Sequence, residues 1–267
     1  MKSALKAVFM THKGAVRAEN QDAVFVSGIA RAGDMHAPEV CDLVGLPILL
    51  AVVDGMGGYA GGALAAKIVA ETLAEETENV FGADIDIDED KHVLRRLLAK
   101  AARRMKEEAE KNPAVSEMGA VVSGLLIRER SALAFNCGDC RTYRFSGGSL
   151  ERVTRDHSIV QALFEAGKIG EEEMRTHPQK NIVTSVLSVD SQIDFELHVK
   201  RLSLCEGDSF FLCSDGVWET FSSLELTALL ARTPSPEAAS GIFEALLTAE
   251  CRDNVSFIWI GFGEVEL

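Results

Sequence analysis

The sequence predicts an α+β layered sandwich. Short strand-like runs recur along the 267 residues, helical stretches come in pairs, and the pairs are set apart by runs of strands instead of alternating with them one by one. Alternating β-α-β units build parallel sheets, whereas segregated strands and helices build antiparallel sheets covered by helices.

The strand-like runs cover residues 4–10, 23–26, 47–53, 120–127, 132–136, 142–145, 196–202, 209–213 and 255–261. Each is rich in β-branched or aromatic residues and is bounded by Gly, Asp, Asn or charges. Two long helical stretches follow the third run. Residues 60–80 carry Leu64, Ala65, Ile68, Val69, Thr72 and Leu73, and residues 92–111 carry Val93, Leu94, Leu97, Leu98, Ala101 and Met105. Both sets recur at i, i+3 and i+4, the stripe of a helix that buries one face. Asn112-Pro113 ends the second, because the residue before proline disfavours helical backbone. Two more helices fit residues 222–232 and 236–250. The acidic run 85–90 reads as a helix-start loop, with carboxylates near the positive end of the next helix. It lacks the glycine and distal glutamate of a calcium loop. With no internal repeat and no linker, a single domain over residues 1–267 is expected.

Hydrophobic residues make up 47% and charged residues 25%, ordinary for a globular chain. The net charge of −14, from 41 acidic against 27 basic residues, argues against a nucleic-acid partner. No apolar run reaches the ~20 residues that cross a bilayer, and the first residues show no signal-peptide pattern. A cytoplasmic location without membrane contact is therefore expected. The six cysteines mostly sit within apolar runs and read as small core hydrophobes. Cys137-x-x-Cys140 lacks both the helix start of a redox motif and the second ligand pair of a zinc site.

Four aspartates stand at strand ends. Asp54 ends LLAVVDG, Asp215 ends SFFLCSDG, and Asp253 and Asp22 each lie just before a strand. A carboxylate at the edge of a core is costly unless something pairs with it. Taken singly each reads as a turn or cap residue. Taken together they read as an oxygen-rich site suited to magnesium or manganese. Arg17, five residues before Asp22, is either a surface arginine or a phosphate ligand, since guanidinium binds phosphate through two parallel hydrogen bonds. The run DGMGGYAGG (54–62) also fits a dinucleotide-binding turn, Gly55-x-Gly57-x-x-Ala60. Against that reading, Asp54 would face a pyrophosphate with like charge, and Glu75 and Glu76 fall inside a predicted helix.

Seven motifs then resemble, in order and spacing, those of the metal-dependent protein phosphatases of type 2C, from end to end of the chain. They are T-x-K-G-x-V-R-x-x-N-Q-D (11–22), V-V-D-G-M-G-G (52–58), S-G-L-L-I (123–127), N-C-G-D-C-R (136–141), T-R-D-H-S (154–158), C-S-D-G-V-W-E (213–219) and D-N-V-S (253–256). The resemblance implies a four-layer α-β-β-α sandwich with central antiparallel β-sheets, a helix pair on each face and a metal centre at one end. It implies two manganese or magnesium ions, with a third, weaker one. Asp54 resembles the carboxylate bridging two ions and the Gly55 carbonyl a ligand of one. Asp215 and Asp253 resemble ligands of the other, and Asp22 the holder of metal-bound waters. Asp139, with Asp215, resembles the binder of the third ion. Arg17 would bind the substrate phosphate and, with Asp54, carry catalysis. The implied reaction is hydrolysis of phosphoserine or phosphothreonine by a metal-bridging water or hydroxide, in a monomer that acts on phosphorylated proteins and opposes a serine/threonine kinase. Control of type VI secretion is one setting for such compact bacterial members.

The segment from about 156 to 190 matches the family's flap. Three departures stand out. Gln21 replaces a common glutamate. Met56 replaces the histidine that serves animal members as a general acid, which hints at a bacterial source. S-V-L-S-V (185–189) replaces the usual flap ending. Two other classes remain open at this point: a catalytically dead relative that binds phosphoproteins, and a phosphatase of small metabolites.

Overall fold

The computed structural model describes residues 5–81, 87–190 and 194–262. The strands are β1 (Leu5–His12), β2 (Asp22–Val26), β3 (Ile29–Ala32), β4 (Glu39–Leu43), β5 (Ile48–Met56), β6 (Gly119–Arg128), β7 (Ser131–Cys137), β8 (Arg141–Ser146), β9 (Ser149–Arg152), β10 (Leu187–Ser188), β11 (His198–Ser203), β12 (Ser209–Cys213) and β13 (Val255–Gly261). The helices are α1 (Gly58–Val80), α2 (Ile87–Lys111), α3 (Ile159–Glu165), α4 (Glu171–Met174), α5 (Asp215–Trp218), α6 (Ser223–Leu230) and α7 (Pro236–Thr248).

Two antiparallel sheets form. One runs β4-β1-β13-β12-β8-β9. The other runs β11-β7-β6-β5-β2-β3, with β10 also paired to β6. The side-chain period of two explains the layering. In β5, Ile48, Leu50 and Val52 join the core between the sheets. The intervening Leu49, Ala51 and Val53 join a second core under α1 and α2. In β2, Val24 and Val26 face the first core and Ala23 and Phe25 the second. A strand buried on both faces reads as an unbroken apolar run, which is why LLAVV shows no alternation in sequence. Leu226, Leu230, Ile242 and Leu246 carry α6 and α7 onto the first core, where α7 packs on β1 and α6 on β9. Both helices are capped by serine: Ser222 accepts from the Glu225 N–H at 3.3 Å and Ser235 from the Ala238 N–H at 3.2 Å.

The layered α+β expectation and its helix pairs are borne out. The dinucleotide reading is not, because β5 lies between antiparallel neighbours β2 and β6 and opens no parallel unit. The predicted strand at 4–10 runs on to His12, with residue 4 outside the described residues, and the strand predicted at 196–202 begins only at His198. The helix predicted at 92–111 starts at Ile87, inside the acidic run, whose residues 85–86 lie outside the described residues. Strands β3, β4 and β9 have no counterpart in the prediction. Each lies at or beside a sheet edge, is only partly buried and carries charges, so it lacks the apolar signal. The 156–190 segment carries two unpredicted short helices, α3 and α4, and its S-V-L-S-V exit supplies β10, where Leu187 pairs with Ala120. Among the described residues no helix is long and apolar enough to cross a membrane.

Candidate metal centre

The site lies where the two sheets open at one end. Asp22 and Asp54 are direct cross-strand partners in β2 and β5. By the alternation above, both side chains point between the sheets. Directly opposed like charges destabilise a sheet, so this register calls for a compensating charge or a proton on one of the pair. The facing sheet contributes Asp215, just past β12, and Asp253, just before β13. Asp139 comes from the connection by which the chain leaves one sheet for the other, between β7 and β8.

Asp22 and Asp139 are buried, while Asp54, Asp215 and Asp253 are half-buried and form the mouth of the cluster. Burial pushes the Asp22 carboxyl up to about 7, against hydrogen bonds from Ser214 and Ser256 that favour its charge. Burial, then the nearby Asp156, pushes Asp139 up to about 7. Asp54 is raised well above the carboxylate range by burial and then by Asp22, Asp215, Asp139 and Asp253. Asp215 is raised likewise by burial, then by Asp139, Asp253, Glu219 and Asp22. Each group resists the ionisation of the others, which is the field that a divalent cation relieves.

The donor chemistry fits such ions: hard oxygen ligands only, with solvent at the mouth. Among the described residues no three His, Cys, Asp or Glu side chains close tightly around one point. Gly55 is wedged in place. A side chain there would come within 2.0 Å of the Gly62 carbonyl oxygen, and a side chain on Gly62 would strike the Gly55 oxygen at 2.7 Å. Two glycines thus keep the Gly55 carbonyl unobstructed.

The structure places Arg17 on Asp253, with Nη2 donating to Oδ2 at 2.5 Å. That bond, ahead of all other effects, raises the pKa of the guanidinium. Gln21 Nε2 donates to the Gly58 carbonyl at 2.9 Å, a bond a glutamate carboxylate could not make. The Met56 side chain lies over Gly119, its cross-strand partner, and packs on the inter-sheet core.

Several supporting residues carried no assigned role in the sequence reading. Ser214 donates to Asp22 Oδ2 at 2.7 Å and accepts from the Ser256 N–H. Asn254 uses its whole amide: Oδ1 accepts from the Gln21 N–H at 2.8 Å, and Nδ2 donates to the Lys13 and Glu19 carbonyls. Gln21 in turn accepts from the Gly55 N–H at 3.0 Å, so one chain of bonds joins the segments bearing Asp253, Asp22 and Gly55. Trp218 donates to the Asp139 carbonyl at 3.0 Å, and the Arg141 guanidinium stacks on its ring at 3.6 Å. On the outer side, Lys180 of the 156–190 segment pairs with Glu219. For Ser214 and Asn254 the only local sequence signal is a small polar residue beside a strand-end aspartate.

With this geometry in view, comparison with known families places the molecule. The family model described as Protein phosphatase 2C matches residues 26–249, and the chain belongs to that family. Among curated relatives, the serine/threonine protein phosphatase PstP of Mycobacterium tuberculosis is 28% identical over 254 residues, 95% of this chain; the chain spans 44% of PstP's length. Among solved structures, the serine/threonine phosphatase Stp1 from Staphylococcus aureus superposes with a TM-score of 0.80 at 29% identity, over 98% of this chain and 96% of that one. PppA, described as a key regulatory component of T6SS in Pseudomonas aeruginosa, superposes with a TM-score of 0.75 at 29% identity, over 97% and 98%.

Proposed function

We propose that the protein is a metal-dependent protein serine/threonine phosphatase. The observation that carries the reading is the convergence of Asp22, Asp54, Asp139, Asp215 and Asp253 from five separate segments on one end of the sandwich, with Asp22, Asp54, Asp139 and Asp215 raised in pKa by burial and by their neighbours. Family membership and the names of the relatives support it.

In this reading Asp54 would serve both of two ions, with the Gly55 carbonyl on one and Asp215 and Asp253 on the other; Asp22 would hold their waters, and Asp139 with Asp215 would hold a weaker third. Two bound manganese or magnesium ions supply Lewis acidity, activating water near neutral pH and neutralising phosphoryl charge. The chain's own residues do the rest. Ser214 fixes the Asp22 carboxylate. Asn254 and Gln21 hold the three ligand-bearing segments in register. Arg17, half-exposed at the mouth, turns from Asp253 to the incoming phosphate and binds it bidentately. Met56 has no proton to give, so the leaving hydroxyl takes its proton from solvent in the site.

The substrates are phosphorylated proteins, in opposition to a serine/threonine kinase, and the protein acts as a cytoplasmic monomer. Six free cysteines, four of them buried, suit a reducing compartment. The role printed for PppA makes type VI secretion one setting in which to look for the substrate. Hydrolysis of a phosphothreonine peptide, with and without manganese, beside Asp215→Asn tests the reading. Manganese-dependent turnover that the variant loses supports it. An intact protein that turns over nothing with any divalent metal refutes it and leaves a phosphoprotein-binding module.

A further inference from the structure

The 156–190 segment leaves and returns side by side where Ser158 bridges Val183, and one buried histidine sits at this neck. His157 is 2% exposed. Its backbone N–H donates to the Gly138 carbonyl at 2.8 Å, and its Nδ1 accepts from the Gly138 N–H at 3.1 Å. Both backbone groups of Gly138 are thus held by one residue. Asn136 Nδ2 adds a second bond to the Gly138 oxygen at 3.0 Å and spans to the Arg155 carbonyl at 2.8 Å. The His157 carbonyl accepts from the Thr184 N–H at 2.7 Å, next to a bridge between Ser158 and Val183. His157 therefore touches the incoming and outgoing strands of the neck and the loop before Asp139.

Gly138 cannot be replaced or relaxed easily. Its φ is +103°, and a side chain there would meet Val121 at 2.2 Å. A glycine in that conformation loses much backbone freedom on folding, so something must hold it. The next residue is Asp139, whose carbonyl is taken by Trp218. The imidazole is suited to its task only as a neutral ring, because Nδ1 must present a lone pair. Burial lowers its pKa accordingly. The ring proton then sits on Nε2, which has no hydrogen-bond partner among the described residues and faces Glu196 Oε1 at 3.7 Å.

We propose that His157 is a positioning residue that fixes Asp139 by clasping Gly138, and that it thereby couples the weak metal position to the neck of the 156–190 segment. This rests on the reading of Asp139 as a metal-binding residue. The clasp itself does not.

The test compares the full-length wild type with His157→Leu and His157→Asn. Asparagine places an Oδ1 acceptor close to where Nδ1 lies, whereas leucine fills space without an acceptor. In the metal-free protein, amide exchange at Gly138 is expected to quicken about tenfold in His157→Leu, the scale of one lost buried hydrogen bond. With a phosphothreonine peptide, the manganese concentration for half-maximal rate rises about tenfold and kcat falls, while KM stays within about twofold. His157→Asn recovers both readouts. If His157→Leu fails to fold, His157→Gln, whose acceptor lies one bond farther out, takes its place with the same expected losses. A leucine (or glutamine) variant with wild-type Gly138 exchange and manganese requirement overturns the proposal. So does an asparagine variant impaired as much as leucine. A wild type without manganese-dependent turnover removes the phosphatase reading instead, and the exchange comparison still decides the clasp.

Discussion

Two groups of buried or half-buried aspartates occupy this molecule, and they are neutralised differently. Asp90, Asp156 and Asp208 lie inside the fold with arginines from other elements against them. Arg128 reaches Asp90 at 2.7 Å, Arg141 reaches Asp156 at 2.7 Å and Arg144 reaches Asp208 at 2.6 Å. At the open end, Asp22, Asp54, Asp139 and Asp215 face one another, and their carboxyls are raised by burial and mutual repulsion. The first group carries its counter-charge in the sequence. The second is arranged for a charge that comes from outside. A carboxylate network built only for stability would resemble the first group throughout, so the contrast supports the open end as the candidate site.

The largest effect that breaks the comparison comes from exchanging one member of each group. Asp54→Asn is expected to lower manganese-dependent turnover by about a thousandfold, the loss of several kcal/mol of transition-state charge stabilisation. In the metal-free protein the same change removes a carboxyl that must take up a proton to sit in the crowded cluster, and raises the thermal midpoint. Asp208→Asn does the opposite. It leaves Arg144 facing a neutral amide, costs about 3 kcal/mol in denaturant unfolding and leaves kcat per folded molecule unchanged. Parallel behaviour of the two variants in both assays would erase the distinction.

Next in size is the response to pH. The Asp22 carboxyl is raised from the ordinary carboxylate range to about 7 in the folded state. A group raised in this way contributes stability that is fully present below its unfolded pKa and is lost as pH climbs through the folded one. The metal-free protein is therefore expected to melt about 5 °C lower at pH 8 than at pH 5, by calorimetry. Saturating manganese abolishes that decline, because the ion favours the ionised form. A metal-free midpoint that climbs over this range would contradict the raised carboxyl.

Arg17→Lys sharpens the picture at the mouth. Loss of the planar two-bond grip is expected to raise KM for a phosphopeptide about tenfold with a smaller fall in kcat, read from steady-state kinetics. The smallest effect is expected from Lys180→Met. Its pair with Glu219 is partly exposed, so stability should change by under about 1 kcal/mol. A change in preference among phosphopeptides is the readout that ties the 156–190 segment to substrate choice.

Much of the site was legible because its aspartates interrupt apolar runs. Asp54 and Asp215 follow runs so hydrophobic that an ionisable group there needs a reason, although β5 continues past Asp54 to Met56, and Asp22 and Asp253 sit where the next strand begins. Asp139 and the Gly55 carbonyl had no such local signal and came only with the family resemblance. Ser214 and Asn254 stayed without roles because their work lies in partners 192 and 233 residues away in sequence, which no local pattern can display. Gln21 read only as the replacement of a common glutamate, and its bond to the Gly58 carbonyl is one that an amide donor makes and a carboxylate cannot. In the fold, long helices and central strands were legible through period and apolarity. Edge strands such as β3 and β9, and one- or two-turn helices such as α3 and α4, were not, since too few side chains are buried to leave a pattern.

The most direct test is a calorimetric titration of manganese into metal-free protein, run beside Asp54→Asn and Asp208→Asn. The account predicts at least two ions bound by the wild type and by Asp208→Asn, with the tightest binding lost in Asp54→Asn. No binding to the wild type at millimolar manganese, or equal binding by Asp54→Asn, would contradict it.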